Sequence, residues 1–291
     1  MIYRVSHKST YAYSGPVDLS YHLLHLAPRV LPYQRVREMR ISSQPAPATT
    51  SERTDYFGNK VTYLSLAQPH AKFTVELDAT VDVQFPPPPA AETTPPWETV
   101  RDQLRAPSDP ELVTASEFAF ATPQTTPSAE IVAYAEASFP AGRPILAAVK
   151  DLTQRIHRDF TFEPGATSVS TPVADVMQQR RGVCQDFAHL EIAALHAMGL
   201  AARYVSGYIH SHRMSGDGAL TGADASHAWV SFFCPGTGWI DVDPTNDLVV
   251  GDEHIVLAWG RDYEDVSPIR GVMLGGGDHS LTVAVTVTPQ G

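Results

Sequence analysis

Apolar and polar residues alternate through the first 85 positions, and then the period changes. Phe73, Val75, Leu77, Ala79, Val81, Val83 and Phe85 fall at every second position, which predicts a strand with one buried face over 72–85. Residues 61–66 follow the turn signal Asp55-Tyr56-Phe57-Gly58-Asn59 and read as one arm of a hairpin. Residues 2–13, 19–26 and 35–41 are earlier strand candidates. Residues 1–90 are therefore expected to form an all-β module, a small sandwich. Pro86 to Pro89 and then Thr93-Thr94-Pro95-Pro96 cannot continue a strand ladder and favour extended geometry, which predicts a linker over 91–125 with a proline-rich start.

From Asp109 the signals are helical. Asp109-Pro110 and Thr126-Pro127 each pair a capping residue with a proline suited to the first helical position. Ile145, Val149, Leu152 and Ile156 mark a helix ending near Phe160, and Thr171-Pro172 opens a short one through Met177. Gly182 allows a tight backbone ahead of a further helix. Phe187, Leu190, Ala194 and Met198 set an apolar stripe that Ala188, Ile192 and Leu195 widen, and Gly199 stands where a C-terminal cap belongs. Strand signals return over 202–209, followed by a polar loop. A hairpin then joins 227–233 to 239–243 around Pro235-Gly236-Thr237-Gly238. The tail after Asn246 reads as loop-rich until Leu281, Val283, Val285 and Val287 alternate; this last strand, 280–288, is expected to pack on the N-terminal module. The fold class is α+β, with a core domain over 126–291.

The 291 residues suffice for two domains, and 43% hydrophobic with 18% charged residues is ordinary for a globular protein. A formal charge of -11 without a basic face argues against nucleic acid or an anionic membrane as partner. The first eight residues carry no apolar leader core, and no run approaches the ~18 apolar residues of a spanning helix. Two cysteines, Cys184 and Cys234, are few for this length and fit a reducing compartment, so a cytoplasmic location with free thiols is expected.

The candidate chemistry centres on Cys184. It falls in the first turn of its helix, where unpaired N–H groups and the helix dipole favour a thiolate. A lone buried cysteine is more often packing than chemistry, so its partners decide. In the hairpin, a turn centred on Pro235 sets His227 opposite Asp243, and one centred on Gly236 makes them diagonal neighbours on the same face. A cysteine, a histidine and an aspartate so placed can act as nucleophile, base and orienter, with the Cys184 N–H as half of an oxyanion hole.

The blocks Arg181-Gly182-Val183-Cys184-Gln185-Asp186, Ala225-Ser226-His227-Ala228-Trp229-Val230 and Gly238-Trp239-Ile240-Asp241-Val242-Asp243-Pro244-Thr245-Asn246 resemble, in order, the three catalytic motifs of the transglutaminase-like superfamily. The likeness is to its bacterial branch of proposed cysteine proteases with a β-rich N-terminal domain. The resemblance implies a papain-like α+β core and a catalytic triad of Cys184, His227 and Asp243. It implies an enzyme that attacks a peptide or protein amide and resolves the thioester with water; transfer to an amine, or a non-catalytic binding scaffold, are the other readings. No cofactor and no metal are implied.

Two positions depart from the family pattern. Asp241 stands where a small or apolar residue is expected and is assigned to solvent. Phe160 and Phe162 occupy the region of an aromatic oxyanion donor, yet phenylalanine cannot donate. Cys234 reads as inert, His189 and His196 as packing or surface residues, and Trp229 and Trp239 as cleft or core. His210-Ser211-His212 has too few ligands for zinc, and Gly275-Gly276-Gly277 lacks the context of a phosphate loop.

Overall fold

The computed structural model describes residues 1–210 and 226–290. Five strands come first: β1 (Ile2–Leu24), β2 (Gln34–Gln44), β3 (Thr49–Thr54), β4 (Lys60–Leu66) and β5 (His70–Val83). Then follow α1 (Trp97–Arg105), α2 (Pro110–Ser116), α3 (Ala129–Glu136), α4 (Ile145–Asp159), β6 (Thr161–Phe162), α5 (Val173–Gln179), β7 (Arg181–Gly182) and α6 (Cys184–Ala197). The remainder is β8 (Ala202–Ile209), β9 (His227–Cys234), β10 (Gly238–Asp243), β11 (Leu248–Val249), β12 (His254–Gly260), α7 (Tyr263–Val266), β13 (Ile269–Gly275) and β14 (His279–Gln290). The architecture is a β-rich N-terminal domain followed by an α+β core.

One strand organises the first sheet. The segments 2–13 and 19–26, expected to be separate, run as the single 23-residue β1, whose register breaks between Ala12 and Val17. β5 and β4 pair along one side of it, and β14 and β13 along the other, while β2 and β3 lie outside β5 and β4. The C-terminal strand thus runs the length of the first half of β1, from Ile2 opposite Gln290 to Tyr13 opposite His279. β3 is exposed at every position, so it carries no alternation from which to predict it.

The span expected to be a linker is a correction. The prolines stay extended, but from Trp97 onward α1 and α2 form, and Trp97, Val100, Leu104, Leu112 and Phe118 are buried in the main core with α4 and α6. Asp109 caps α2 through Leu112 N–H at 2.9 Å, as its spacing predicts. α3 starts two residues later than Thr126-Pro127 suggests, because Ser128 takes the capping bond from Ile131 N–H at 3.3 Å.

Helix α6 departs from its amphipathic reading in an informative way. Every residue from Asp186 to Leu195 is buried, because β8 and β9 cover one flank and α3, α4 and α5 cover others. Its polar side chains therefore needed partners. Glu191 accepts from Thr153 Oγ1 at 2.7 Å, His189 Nε2 accepts from Tyr263 N–H at 3.1 Å, and His196 Nε2 bonds Phe118 O at 2.9 Å. The core sheet runs β11-β10-β9-β8-β12. The tail expected to be loop supplies its edge strand β12, missed because only seven residues separate the turns around Gly251 and Arg261.

Burial gives these groups opposite pH signatures. It lowers His7, His22, His189 and His196 from 6.5 to about 4 by penalising the imidazolium. The unfolded chain then binds more protons below pH 6.5, so their contribution is complete above 6.5 and lost as pH falls through about 4. Burial raises Glu191 from 4.5 to about 8, against its Thr153 bond and aided by Asp243 and Asp247; its contribution is complete below 4.5 and lost as pH rises through about 8. Thermal unfolding should show Tm falling below pH 6.5, and Glu191→Gln should gain on the parent at pH 9 but not at pH 5. Equal differences at both pH values would contradict this. A chain ending at His279 should unfold at a markedly lower temperature, having lost the β14 ladder; an unchanged Tm would show that the ladder contributes nothing.

Candidate active site

The backbone before Cys184 is built by three residues. Arg180 closes α5 in the left-handed region at φ 56, so the unusual conformation falls there and not at Gly182. Gly182 is required for space: a Cβ on it would sit 2.7 Å from Asp186 Oδ2. That carboxylate is folded back to accept Val183 N–H at 2.8 Å and Thr167 Oγ1 at 2.6 Å, fixing the first turn of α6. Cys184 is the first residue of that helix and is half-buried.

The hairpin settles the register between its two permitted alternatives. Cys234 lies opposite Gly238 and Val230 opposite Val242, so the turn centres on Gly236, which takes φ 79. His227 and Asp243 are then diagonal neighbours at the end of the sheet, and His227 Nε2 donates to Asp243 Oδ2 at 2.8 Å. Both side chains are fully buried. His227 Nδ1 has no hydrogen-bond partner among the described residues, and the ring lies within reach of the Cys184 sulfur. The nitrogen facing away from Asp243 is thus the one left for the thiol.

Asp243 is surrounded by donors. Oδ1 accepts Thr245 N–H at 2.9 Å and Asn246 N–H at 3.3 Å. Oδ2 accepts His227, Asn246 Nδ2 at 2.7 Å and His254 Nε2 at 3.3 Å. Burial alone would favour the protonated acid, but His227 and His254 outweigh it and hold the carboxyl far below its ordinary range. Burial likewise opposes a charged His227, yet the Asp243 carboxylate, helped by the Cys184 sulfur, pushes it from 6.5 up to about 10.

The remaining candidates sort cleanly. Asp241 does not face solvent, a correction: it is 7% exposed, and its Oδ2 accepts Trp229 Nε1–H at 3.0 Å. An indole donor on the same face of the hairpin makes a carboxylate acceptable there. Phe160 and Phe162 both pack edge-on to Phe187. Tyr204 from β8 is only 2% exposed; burial first, and then its electrostatic interaction with Cys184, hold its phenol well above its ordinary range, as a neutral donor. Cys234 is buried, which pushes its thiol up. Trp229 is buried, and Trp239 packs against Phe118 and Phe233. His210 bonds Val287 O at 3.1 Å, while Ser211 and His212 lie outside the described residues.

Sequence reasoning missed His254 and Tyr204. His254 stands on a strand mistaken for loop, and nothing local marks it; only the pairing of β12 with β8 brings it beside Asp243. His227, Asp243 and His254 place donor atoms within 4.8 Å of one another, a spacing a divalent ion could bridge. The 2.8 and 3.3 Å contacts are those of hydrogen bonds onto one carboxylate oxygen, so charge-assisted hydrogen bonding accounts for the cluster.

Comparison with known proteins identifies the two regions of the chain and the fold. Residues 133–244 match the transglutaminase-like superfamily and residues 3–82 the bacterial transglutaminase-like N-terminal region. An uncharacterised protein of Mycobacterium tuberculosis is 40% identical over 295 residues, covering 99% of this chain and 92% of its own length. An uncharacterised protein of Mycobacterium leprae is 33% identical over 286 residues, 98% of each chain. A protein-glutamine gamma-glutamyltransferase of Pseudomonas aeruginosa is 33% identical over 137 residues, 43% of this chain but 20% of that one. Among solved structures, one from Cytophaga hutchinsonii, named as a proposed cysteine protease, superposes with a TM-score of 0.76 at 22% identity, covering 99% of this chain and 90% of that one; at that identity the likeness is one of fold. From the two matched regions and the near full-length relatives, the chain belongs to the transglutaminase-like superfamily.

Proposed function

We propose that this protein is a cysteine-nucleophile enzyme that cleaves an amide bond of a peptide or protein through a thioester, with Cys184 as nucleophile, His227 as base and Asp243 as orienter. The observation that carries the reading is a buried histidine with Nε2 on a buried carboxylate and Nδ1 free beside a cysteine that opens a helix. The thiol proton passes to His227 and the sulfur bonds to the carbonyl carbon. Collapse of the tetrahedral intermediate breaks the C–N bond, and the amine leaves with the proton from His227. Water, deprotonated by His227, then opens the thioester, giving the acid and the thiol. The Cys184 N–H, which has no acceptor earlier in its own helix, and the Tyr204 hydroxyl are the donors assigned to the oxyanion.

The second reading is transfer of the acyl group to an amine, favoured by the partial likeness to the Pseudomonas aeruginosa glutamyltransferase. The first half-reaction is shared, and the acceptor alone decides. Mass analysis of a glutamine-containing peptide incubated with and without a primary amine separates them: loss of the amide as free acid in both cases supports hydrolysis, and an amine adduct supports transfer.

Three outcomes test the chemistry. Alkylation of Cys184 by iodoacetamide at pH 6 should exceed that of Cys234, and His227→Ala should slow it by about two orders of magnitude, because the ring that takes the thiol proton is lost. Equal rates at the two cysteines would sink the assignment. Amide turnover should fall as pH rises through about 10, where His227 loses the proton it gives to the leaving amine. Tyr204→Phe should slow acyl transfer roughly 100-fold while leaving alkylation unchanged, because only acyl transfer develops an oxyanion; equal turnover would remove Tyr204 from the hole.

A further inference from the structure

Asp243 takes one more donor than a nucleophile, base and orienter require. His254 Nε2 lies 3.3 Å from the same Oδ2 that receives His227, and the His254 side chain is 1% exposed. Its neighbours on β12, Ile255, Val256, Leu257 and Ala258, are all buried and apolar, so the position belongs to a hydrophobic strand. A histidine there is costly in itself, because its Nδ1 is buried with no hydrogen-bond partner among the described residues. An apolar side chain would avoid that cost, so the bond to Asp243 is the interaction that offsets it.

We infer that His254 is a positioning residue of the site, which clamps Asp243 Oδ2 and thereby fixes the orientation of the His227 ring toward Cys184. The inference rests on Cys184, His227 and Asp243 being the reacting group, and none of the similarities described above assigns His254 a role. The ring is itself held firmly. It meets the Trp229 indole edge-on at 5.1 Å and 80°, and that indole is tied to Asp241. Gly207 makes the room: a Cβ there would lie 2.4 Å from the Trp229 ring and 2.1 Å from Ile255 O. The β12 backbone is pinned two residues on, where Gln34 Nε2 donates to Val256 O at 2.7 Å and Gln34 Oε1 accepts Val256 N–H at 2.7 Å.

The consequence is directional. With three donors on Oδ2, the carboxylate cannot rotate away from His227, and part of its charge is answered by His254. Without His254, Oδ2 keeps only His227 and Asn246 Nδ2, so the carboxylate is held less tightly and its charge falls more fully on His227, which then holds its proton more tightly. The charged and titratable groups around His227 are Cys184 from α6, Asp243 from β10 and His254 from β12, with Glu191 farther off, where the charge of Asp243 helps to raise it, and Asp241 standing beyond Trp229.

His254→Phe keeps the ring volume and the contact with Trp229 but removes the donor, and His254→Gln restores a donor. In the full-length protein, His254→Phe should lower kcat for a peptide amide about tenfold with KM unchanged, as expected for a base held slightly off its line, and should move the alkaline fall of activity to higher pH. It should also shift the low-field proton resonance of His227 Nε2–H, and His254→Gln should return all three toward the parent. A folded His254→Phe protein with the parent's resonance and alkaline limb would overturn the inference. So would a folded His254→Gln protein whose kcat falls tenfold or more although its donor is kept, which decides the matter if the phenylalanine variant does not fold. The resonance needs no turnover: if Cys184 proved unreactive, the proposed activity would fail while the resonance still reported whether His254 acts on the His227–Asp243 pair.

Discussion

A single buried anion sets the terms for the core of this protein. Removing the Asp243 carboxylate from water costs several kcal/mol even after relaxation of its surroundings, and the fold meets that cost with five donors on two oxygens. Two are backbone groups of the turn that follows β10, so the strand must end where it does. One is the amide of Asn246 in the same turn. The other two are histidines from β9 and β12, so both strands must hold their register. Removing any donor leaves charge unanswered in a dry interior, and the arrangement is therefore rigid as well as polar.

The N-terminal domain bears on the site through β12. That strand is the edge of the core sheet, and an open edge is a row of unpaired backbone groups. Gln34 closes it at Val256, and Asn59 closes it again at Trp259, donating to the carbonyl at 2.9 Å and accepting the N–H at 2.9 Å. Arginines and tryptophans continue the junction: Arg29 lies 3.4 Å over Trp259, and Arg203 stacks between Trp259 at 3.8 Å and Trp239 at 4.2 Å. The strand that carries His254 is thus held from the far side by side chains of the first sixty residues, and β14 returns along β1 to the same domain.

Much of this was legible in the chain because period-two alternation and capping residues are local signals. The strand over 72–85 lies within two residues of β5 at each end, and Asp109 caps α2. The hairpin count narrowed His227 and Asp243 to one face, but not to one register, since Pro235 and Gly236 are both good turn centres and the φ of Gly236 decides between them. Helix α1 was hidden behind prolines that signal extended chain, and its nine residues leave little periodicity to read, whereas the seven residues of α2 were marked only by their cap and first-turn proline. Asp241 was sent to solvent because its partner, the indole of Trp229, lies on the opposite strand. His254 and Tyr204 owe their places to strand order alone, β12 beside β8 and β8 under α6, and no spacing in the sequence encodes that order.

The central claim is that His227 carries its proton between Asp243 and Cys184. A 15N NMR titration of the His227 ring in the parent and in Cys184→Ala tests it most directly. The account predicts a ring protonated on both nitrogens at pH 7, losing its proton near 10, and titrating lower once the sulfur is removed. A ring that titrates near 6.5, with or without Cys184, would contradict it.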